Sequence, residues 1–203
     1  PRMIKSQLIN TAFFTDKNDS WSPNESPFLI NNKKYQVITM NQTHSDVIKS
    51  VYPMKKKYKC DGLYTSKKRD ILCVKTADCV PILIHTKELV GVIHAGWKGL
   101  SENILNNFFK NEKLISSDIK VAIGPHARKC CYEVGKHFEK IFPDHILYDQ
   151  ERTHLDMSRF VTDYLNKLNI EFEDVNVCTI CSDSYYSYRE NQTSNRQYSF
   201  LCI

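Results

Sequence analysis

The stretch Ile71-Leu72-Cys73-Val74-Lys75-Thr76-Ala77-Asp78-Cys79-Val80-Pro81-Ile82-Leu83-Ile84-His85-Thr86-Lys87-Glu88-Leu89-Val90-Gly91-Val92-Ile93-His94 lies near the middle of the chain. Residues 71–76 and 80–85 are apolar and rich in β-branched side chains, so they read as short strands separated by the polar break Ala77-Asp78-Cys79. Thr86-Lys87-Glu88 is a tight connection to a third strand over 89–94. If that strand runs antiparallel to the second, His94 returns beside Cys79 at one end of the pair.

Moving outward, Ala95-Gly96-Trp97-Lys98-Gly99 leads into a helix expected from about Leu100. Leu100, Ile104, Leu105, Phe108 and Phe109 form a stripe of helical spacing, and Ser101 is a candidate cap. A second helix is expected around 134–142, stopped by Pro143. Residues 119–123 read as a strand broken by Gly124-Pro125. A helix over 157–168 has Phe160, Val161, Tyr164, Leu165 and Leu168 on one face and Asp156 as its N-cap. Residues 175–178 and 197–203 are expected as late strands. This irregular mixture of elements predicts an α+β fold, a single domain over 1–203 with a mixed sheet sandwiched between helices. The six glycines, Gly62, Gly91, Gly96, Gly99, Gly124 and Gly135, fall in the middle of the chain, which marks that segment as the site.

Three potential metal ligands stand out. His44 in Asn41-Gln42-Thr43-His44-Ser45, Cys79 in the polar break and His94 at the end of the third strand offer two imidazoles and a thiolate. Such a set is one ligand short of a closed tetrahedral zinc site, and three protein ligands leave a position for water or substrate. Separated His and Cys at strand ends suit a borderline-soft ion. The same residues would also serve as a cysteine nucleophile beside an imidazole.

Composition narrows the classes. The chain has 203 residues, 41% of them apolar, enough for an ordinary core without crosslinks. The net charge of +5 comes partly from Lys55-Lys56-Lys57 and Lys67-Lys68-Arg69, which read as solvated turns. No nucleic-acid-binding motif accompanies them, so a small anionic substrate is expected rather than nucleic acid. No apolar run approaches the ~18 residues of a membrane helix and no charged-then-apolar leader is visible, so a cytoplasmic protein without membrane partners is expected. A monomer or a homodimer is equally compatible. Among the eight cysteines, Cys60, Cys73, Cys130, Cys131, Cys178, Cys181 and Cys202 are then expected as reduced thiols packed like small apolar groups. Cys178-x-x-Cys181 has no second pair at matching spacing, and the adjacent Cys130-Cys131 suits a metal poorly.

Asn41-Gln42-Thr43-His44, Cys60-Asp61-Gly62, Thr76-Ala77-Asp78-Cys79-Val80-Pro81, His94-Ala95-Gly96-Trp97-Lys98-Gly99, Ile123-Gly124-Pro125 with Cys131-Tyr132-Glu133-Val134, Cys178-Thr179-Ile180-Cys181 and Tyr186-Ser187-Tyr188-Arg189 resemble, in order and spacing, the YfiH or laccase-domain family. The resemblance covers nearly the whole chain. It implies a single-domain α+β fold similar to cysteine hydrolases of the cytotoxic necrotizing factor type. It places zinc on His44, Cys79 and His94 as metal and catalytic residues. It also implies purine nucleoside phosphorylase activity on adenosine, inosine, guanosine and methylthioadenosine, together with deamination of adenosine. An older assignment within the family is a copper-dependent (Cu2+) polyphenol oxidase, and some members are associated with editing of peptidoglycan precursors.

The chain departs from the family pattern at Ser45, where glycine is usual, at Lys98, where arginine is usual, and at Glu190 and Asn195. Lysine keeps the charge but loses the planar fork that grips a phosphate at two points. For phosphorolysis, Lys98 and Arg189 are the candidate phosphate-binding cations. For deamination, zinc would bring bound water towards a pKa of ~7. The usual nucleobase-deaminase signature is absent, as is a glycine-rich phosphate loop. Asp61 and Asp78, in motif loops, are candidates for general acid or base. Oxidation of phenols by several coppers calls for more histidines than this trio provides.

Overall fold

The computed structural model describes residues 3–23, 28–30, 32–53, 58–110 and 118–203. The Lys55-Lys56-Lys57 cluster lies outside them. Two six-stranded sheets carry the fold. The first runs, edge to edge, through Ile4–Lys5, Ala12–Phe14, Gln197–Cys202, Asp70–Thr76, Lys33–Thr39 and Phe28–Ile30. The second runs through Glu171–Asp174, Lys120–Ile123, Val80–His85, Val90–Ala95, Gly62–Thr65 and Ile48–Ser50. Glu133–Val134, Arg152–Leu155 and Ile146–Asp149 form a small third sheet. Strand directions are mixed: Lys33–Thr39 pairs parallel to Asp70–Thr76, while Val80–His85 pairs antiparallel to Val90–Ala95.

Alternation along the strands explains the layering. In Val80–His85, Val80, Ile82 and Ile84 join one apolar cluster, and Leu83 joins another on the opposite face. The first cluster lies under the helical elements, with Leu100, Ile104, Phe108, Met157, Val161 and Leu165. The second lies between the two sheets, where Leu83, Val92 and Ala122 meet Phe14, Leu72, Val74 and Leu201. Leu72 and Val74 face that interior while Ile71 and Cys73 of the same strand face a third cluster with Phe200. The class is thus a mixed α+β fold whose second sheet has helices on one face and the first sheet on the other. A strand with both faces covered must be apolar throughout, which is why 71–76 and 80–85 read as near-continuous apolar runs.

Local structure departs from expectation in three places. The helix expected from Leu100 is two short pieces, Trp97–Ser101 and Ile104–Phe109, divided where Asn103 takes a left-handed conformation with φ 73°. Asparagine tolerates that geometry better than most residues. The apolar stripe still packs inward, but Ser101 caps nothing: its hydroxyl donates to the Lys98 carbonyl at 2.8 Å. Over 134–142 there is a short strand, Glu133–Val134, and then a 3-10 turn, Lys136–Lys140. Extended backbone at Gly135 and pairing of Glu133 with His154 prevent an α-helix from starting earlier. The strand expected at 175–178 lies instead at Glu171–Asp174. Asn176, with φ 56°, bends the chain out of the ladder, and its N–H is taken by the Asp174 carboxylate at 2.9 Å. The remaining elements stand, including Met157–Lys167 with Asp156 accepting from the Arg159 N–H.

Candidate metal centre and its cavity

Asp70–Thr76 belongs to the first sheet and Val80–His85 to the second, so the polar break between them is where the chain crosses from one sheet to the other. Asp78 makes the crossing with φ 88°. Its carboxylate accepts from Thr179 Oγ1 at 2.7 Å, from Ser187 Oγ at 3.1 Å and from the Arg189 N–H at 2.7 Å. Cys79, next in the chain, is thereby fixed at the head of the interior strand Val80–His85. The antiparallel register sets Val80 opposite Ala95 and Pro81 opposite His94, which returns His94 to Cys79 as expected.

His44 arrives from a separate loop, itself at φ 58°. Asp61, fully buried, organises that loop: it accepts from the backbone N–H groups of Thr43, His44 and Ser45, the last at 2.8 Å, and from Ser45 Oγ at 2.7 Å. Its Oδ1 also lies 2.8 Å from His94 Nδ1. One carboxylate therefore positions two imidazoles. Burial alone would raise the Asp61 pKa, but the His94 and Ser45 hydrogen bonds outweigh it and keep the group ionised far below the usual carboxylate range. An ionised carboxylate only accepts, so His94 keeps a proton on Nδ1, and Nε2 is the nitrogen that would bond a metal once its own proton is displaced.

The ligand atoms of His44, Cys79 and His94 all lie within 4.8 Å of one another. The two imidazoles meet edge to face at 4.7 Å between centroids. Gly96 makes room for them, since a Cβ there would stand 3.0 Å from Cys79 Sγ and 3.2 Å from the His44 ring. Burial raises the Cys79 thiol, but His94 and then His44 overcome this and bring it below the ordinary thiol range. His94 moves the opposite way. Burial depresses it, and the Cys79 thiolate and Asp61 carboxylate raise it above the imidazole range. Two histidines, a thiolate and a carboxylate behind one histidine are the donor set and the outer support that a zinc-type ion takes. The residues fit such a metal.

The trio borders a cavity of about 720 Å³. Lys75, Arg189 and Arg196 make it cationic, while Trp97, Tyr132 and Tyr188 supply aromatic rings. Arg189 stacks its guanidinium 4.7 Å from the Tyr132 ring centre, and Nη1 donates to the Glu133 carbonyl. Lys98 is not among the lining residues; its ammonium lies 3.8 Å from Glu102 on the exposed side of the short helix. Asp61 and Asp78 have their acceptor capacity engaged in holding the loops. Lys75 lies inside an apolar strand, one residue from its end at Thr76, and nothing in its neighbours marks it as a cavity-lining residue. Arg196, in the departed Ser194-Asn195-Arg196 motif, is a further lining cation that residue type and spacing do not single out.

Fold and site together define a mixed α+β protein with a two-histidine, one-cysteine centre beneath a cationic, aromatic-walled cavity. Residues 13–203 match the family described as multi-copper polyphenol oxidoreductase laccase, and the chain belongs to that family. It is 35% identical to a purine nucleoside phosphorylase of Clostridium acetobutylicum over 176 residues, covering 80% of this chain and 75% of that protein. A purine nucleoside phosphorylase of Aquifex aeolicus is 36% identical over 165 residues, 80% of each chain. Among solved structures, the hypothetical protein YfiH of Bacillus licheniformis superposes with a TM-score of 0.81 at 26% identity, over 100% of this chain and 97% of that one.

Proposed function

We propose that this protein is a metal-dependent purine nucleoside phosphorylase whose centre is His44, Cys79 and His94, with zinc as the metal. The observation that carries this reading is the cationic cavity of about 720 Å³ bordering the trio. Its size suits a nucleoside with phosphate. Relatives that the chain matches over most of their length are named purine nucleoside phosphorylases. Inosine, guanosine, adenosine and methylthioadenosine are the substrates to be tried, with deamination of adenosine as a side activity.

In phosphorolysis, a phosphate oxygen bonds to the ribose anomeric carbon as the bond from that carbon to the purine nitrogen breaks, and the base leaves with its electron pair. Arg189 and Arg196 gather the phosphate, with Lys75 adding positive field. Trp97 and Tyr188, both at the cavity surface, offer faces to the purine. Asp61 holds His94 in one tautomer and His44 in one loop geometry. A bound zinc supplies Lewis-acid polarisation. The location consistent with this reading is the cytoplasm, and no helix among the described residues is long and apolar enough to cross a membrane.

The test is phosphate-dependent release of hypoxanthine from inosine. Cys79→Ala is expected to abolish it, and an unaltered rate in that variant would end the reading. The family description favours a second reading, copper-dependent oxidation of phenols. Among the described residues the candidate metal groups are this trio and a set of four cysteines. That offers few imidazoles for a multi-copper centre. Oxygen uptake by copper-loaded protein with a phenol would instead support it.

A further inference from the structure

Cys130, Cys131, Cys178 and Cys181 are unused by the chemistry above, and the fold gathers them. Their sulphurs all lie within 4.8 Å of one another, with Cys131 to Cys181 at 2.9 Å and Cys130 to Cys181 at 3.4 Å. All four are free thiols, and Cys130 and Cys181 are exposed. Free cysteine is ordinarily among the most buried of residues, so four thiols converging at the surface call for a reason other than packing. The expectation that these cysteines pack as small apolar groups does not hold for this set. Chain spacing hid the cluster: a pair adjacent in sequence meets a Cys-x-x-Cys pair some fifty residues away.

The scaffold under the cluster is well braced. Lys120–Ile123 and Glu171–Asp174 are parallel neighbours, and the two segments that follow them stay side by side. His126 donates its N–H to the Val177 carbonyl at 3.2 Å, and Thr179 donates to the His126 carbonyl at 3.1 Å. Arg128 clamps Asp174 through both terminal nitrogens at 2.8 Å. Cys131 and Tyr132 close a tight turn on the Arg128 carbonyl.

We propose that Cys130, Cys131, Cys178 and Cys181 hold a second zinc ion as a tetrahedral tetrathiolate, distinct from the His44, Cys79 and His94 centre. Tetrahedral zinc with bonds of about 2.3 Å sets sulphurs about 3.8 Å apart, a spacing this cluster reaches by side-chain rotation. The Cys178 sulphur faces the backbone N–H groups of Arg128, Cys181 and Ile180. Donors from two and three residues downstream are what a Cys-x-x-Cys turn supplies to a metal-bound sulphur. On binding, each thiol gives its proton to solvent as its sulphur bonds the ion, with no change of oxidation state.

The role that follows is structural. Tyr132 follows Cys131 and stacks on Arg189, and Thr179 follows Cys178 and holds Asp78. A metal here fastens two segments that shape the cavity, without touching substrate. The inference does not rest on the phosphorylase reading.

Native mass spectrometry of the full chain, reduced and reconstituted with zinc, is expected to show two ions in the unmutated protein. One should remain in Cys79→Ala, and one in the Cys178→Ser, Cys181→Ser double variant. Cobalt-loaded Cys79→Ala should show the intense visible absorption of a tetrahedral tetrathiolate, an arm that stands even if the double variant does not fold. The proposal is overturned if Cys79→Ala binds no metal and shows no such absorption. It is equally overturned if the protein purified in reducing buffer has a mass lower by two hydrogens and peptide mapping places the disulfide among these four cysteines. Loss of phosphorylase activity with two zinc ions still bound would count against the phosphorylase reading and leave this one intact.

Discussion

Asp61 shows how much one buried side chain can do. Its two oxygens collect the N–H groups of the His44 loop and face His94 Nδ1, so the carboxylate sets the aim of two of the three residues proposed to hold the metal. Asp61→Asn removes the ionised acceptor and places an amide where His94 needs one. Metal affinity at the trio should fall by about 10- to 100-fold, read by competition with a chromophoric chelator, with the second centre unaffected. The contrast between cations is equally direct. Arg196 lines the cavity and Lys98 is paired with Glu102 outside it. Arg196→Ala is therefore expected to raise the KM for phosphate several-fold while Lys98→Ala leaves it nearly unchanged, and steady-state kinetics with varied phosphate will check this. Type and spacing were enough to single out His44, Cys79 and His94. Lys75 and Arg196 needed the tertiary structure, because the direction a side chain takes out of a loop or near a strand end is not written in its neighbours.

Among the elements, those with a strong period and a cap were legible. Met157–Lys167 has its apolar stripe and its cap where the sequence places them. Asp156→Ala should destabilise the protein by about 1–2 kcal/mol, since the cap is buried and also lies 3.5 Å from Lys129. Urea denaturation should show a lower midpoint at unchanged slope. Short elements were less legible. Asn103 divides one apolar stripe into two helical pieces, and the stripe is insensitive to that division because Leu100, Ile104, Leu105 and Phe108 are buried in either case. At 175–178 the residues favour a strand, yet Asn176 turns the chain and the segment becomes one wall of the cysteine cluster. Local preference there yields to the partner segment and to the Asp174 contacts.

For the molecule as a whole, the second sheet lies between the first sheet and the helical layer, and His126 ties the loop after Lys120–Ile123 to the helix Met157–Lys167. Fully buried, it bonds the Gly124 carbonyl through Nδ1 at 2.7 Å and Ser158 Oγ through Nε2 at 2.6 Å. Burial depresses its pKa to about 4, with Arg128 adding to the effect. The unfolded chain therefore binds more protons than the folded one between the ordinary imidazole value and 4. Stability from this group is present in full above about pH 6.5 and is lost as pH falls towards 4, on the order of 3 kcal/mol. Denaturant titrations at stepped pH should show a steep acid-side decline that is shallower in His126→Gln.

The sequence by itself determined the strands of the central stretch, the return of His94 to Cys79, the choice of His44, Cys79 and His94 as the candidate trio, and the resemblance to the family. The strands follow from short-range periodicity, which burial on both faces of a strand imprints directly, whereas the trio and the family rest on residue type and on motifs in order along the chain. Tertiary structure alone decided that the stretch crosses between two sheets, that Arg196 and not Lys98 faces the cavity, and that four cysteines from distant segments share one corner. The physical reason is that a parallel strand pair and the loops leaving it bring together residues whose separation along the chain carries no periodic signal.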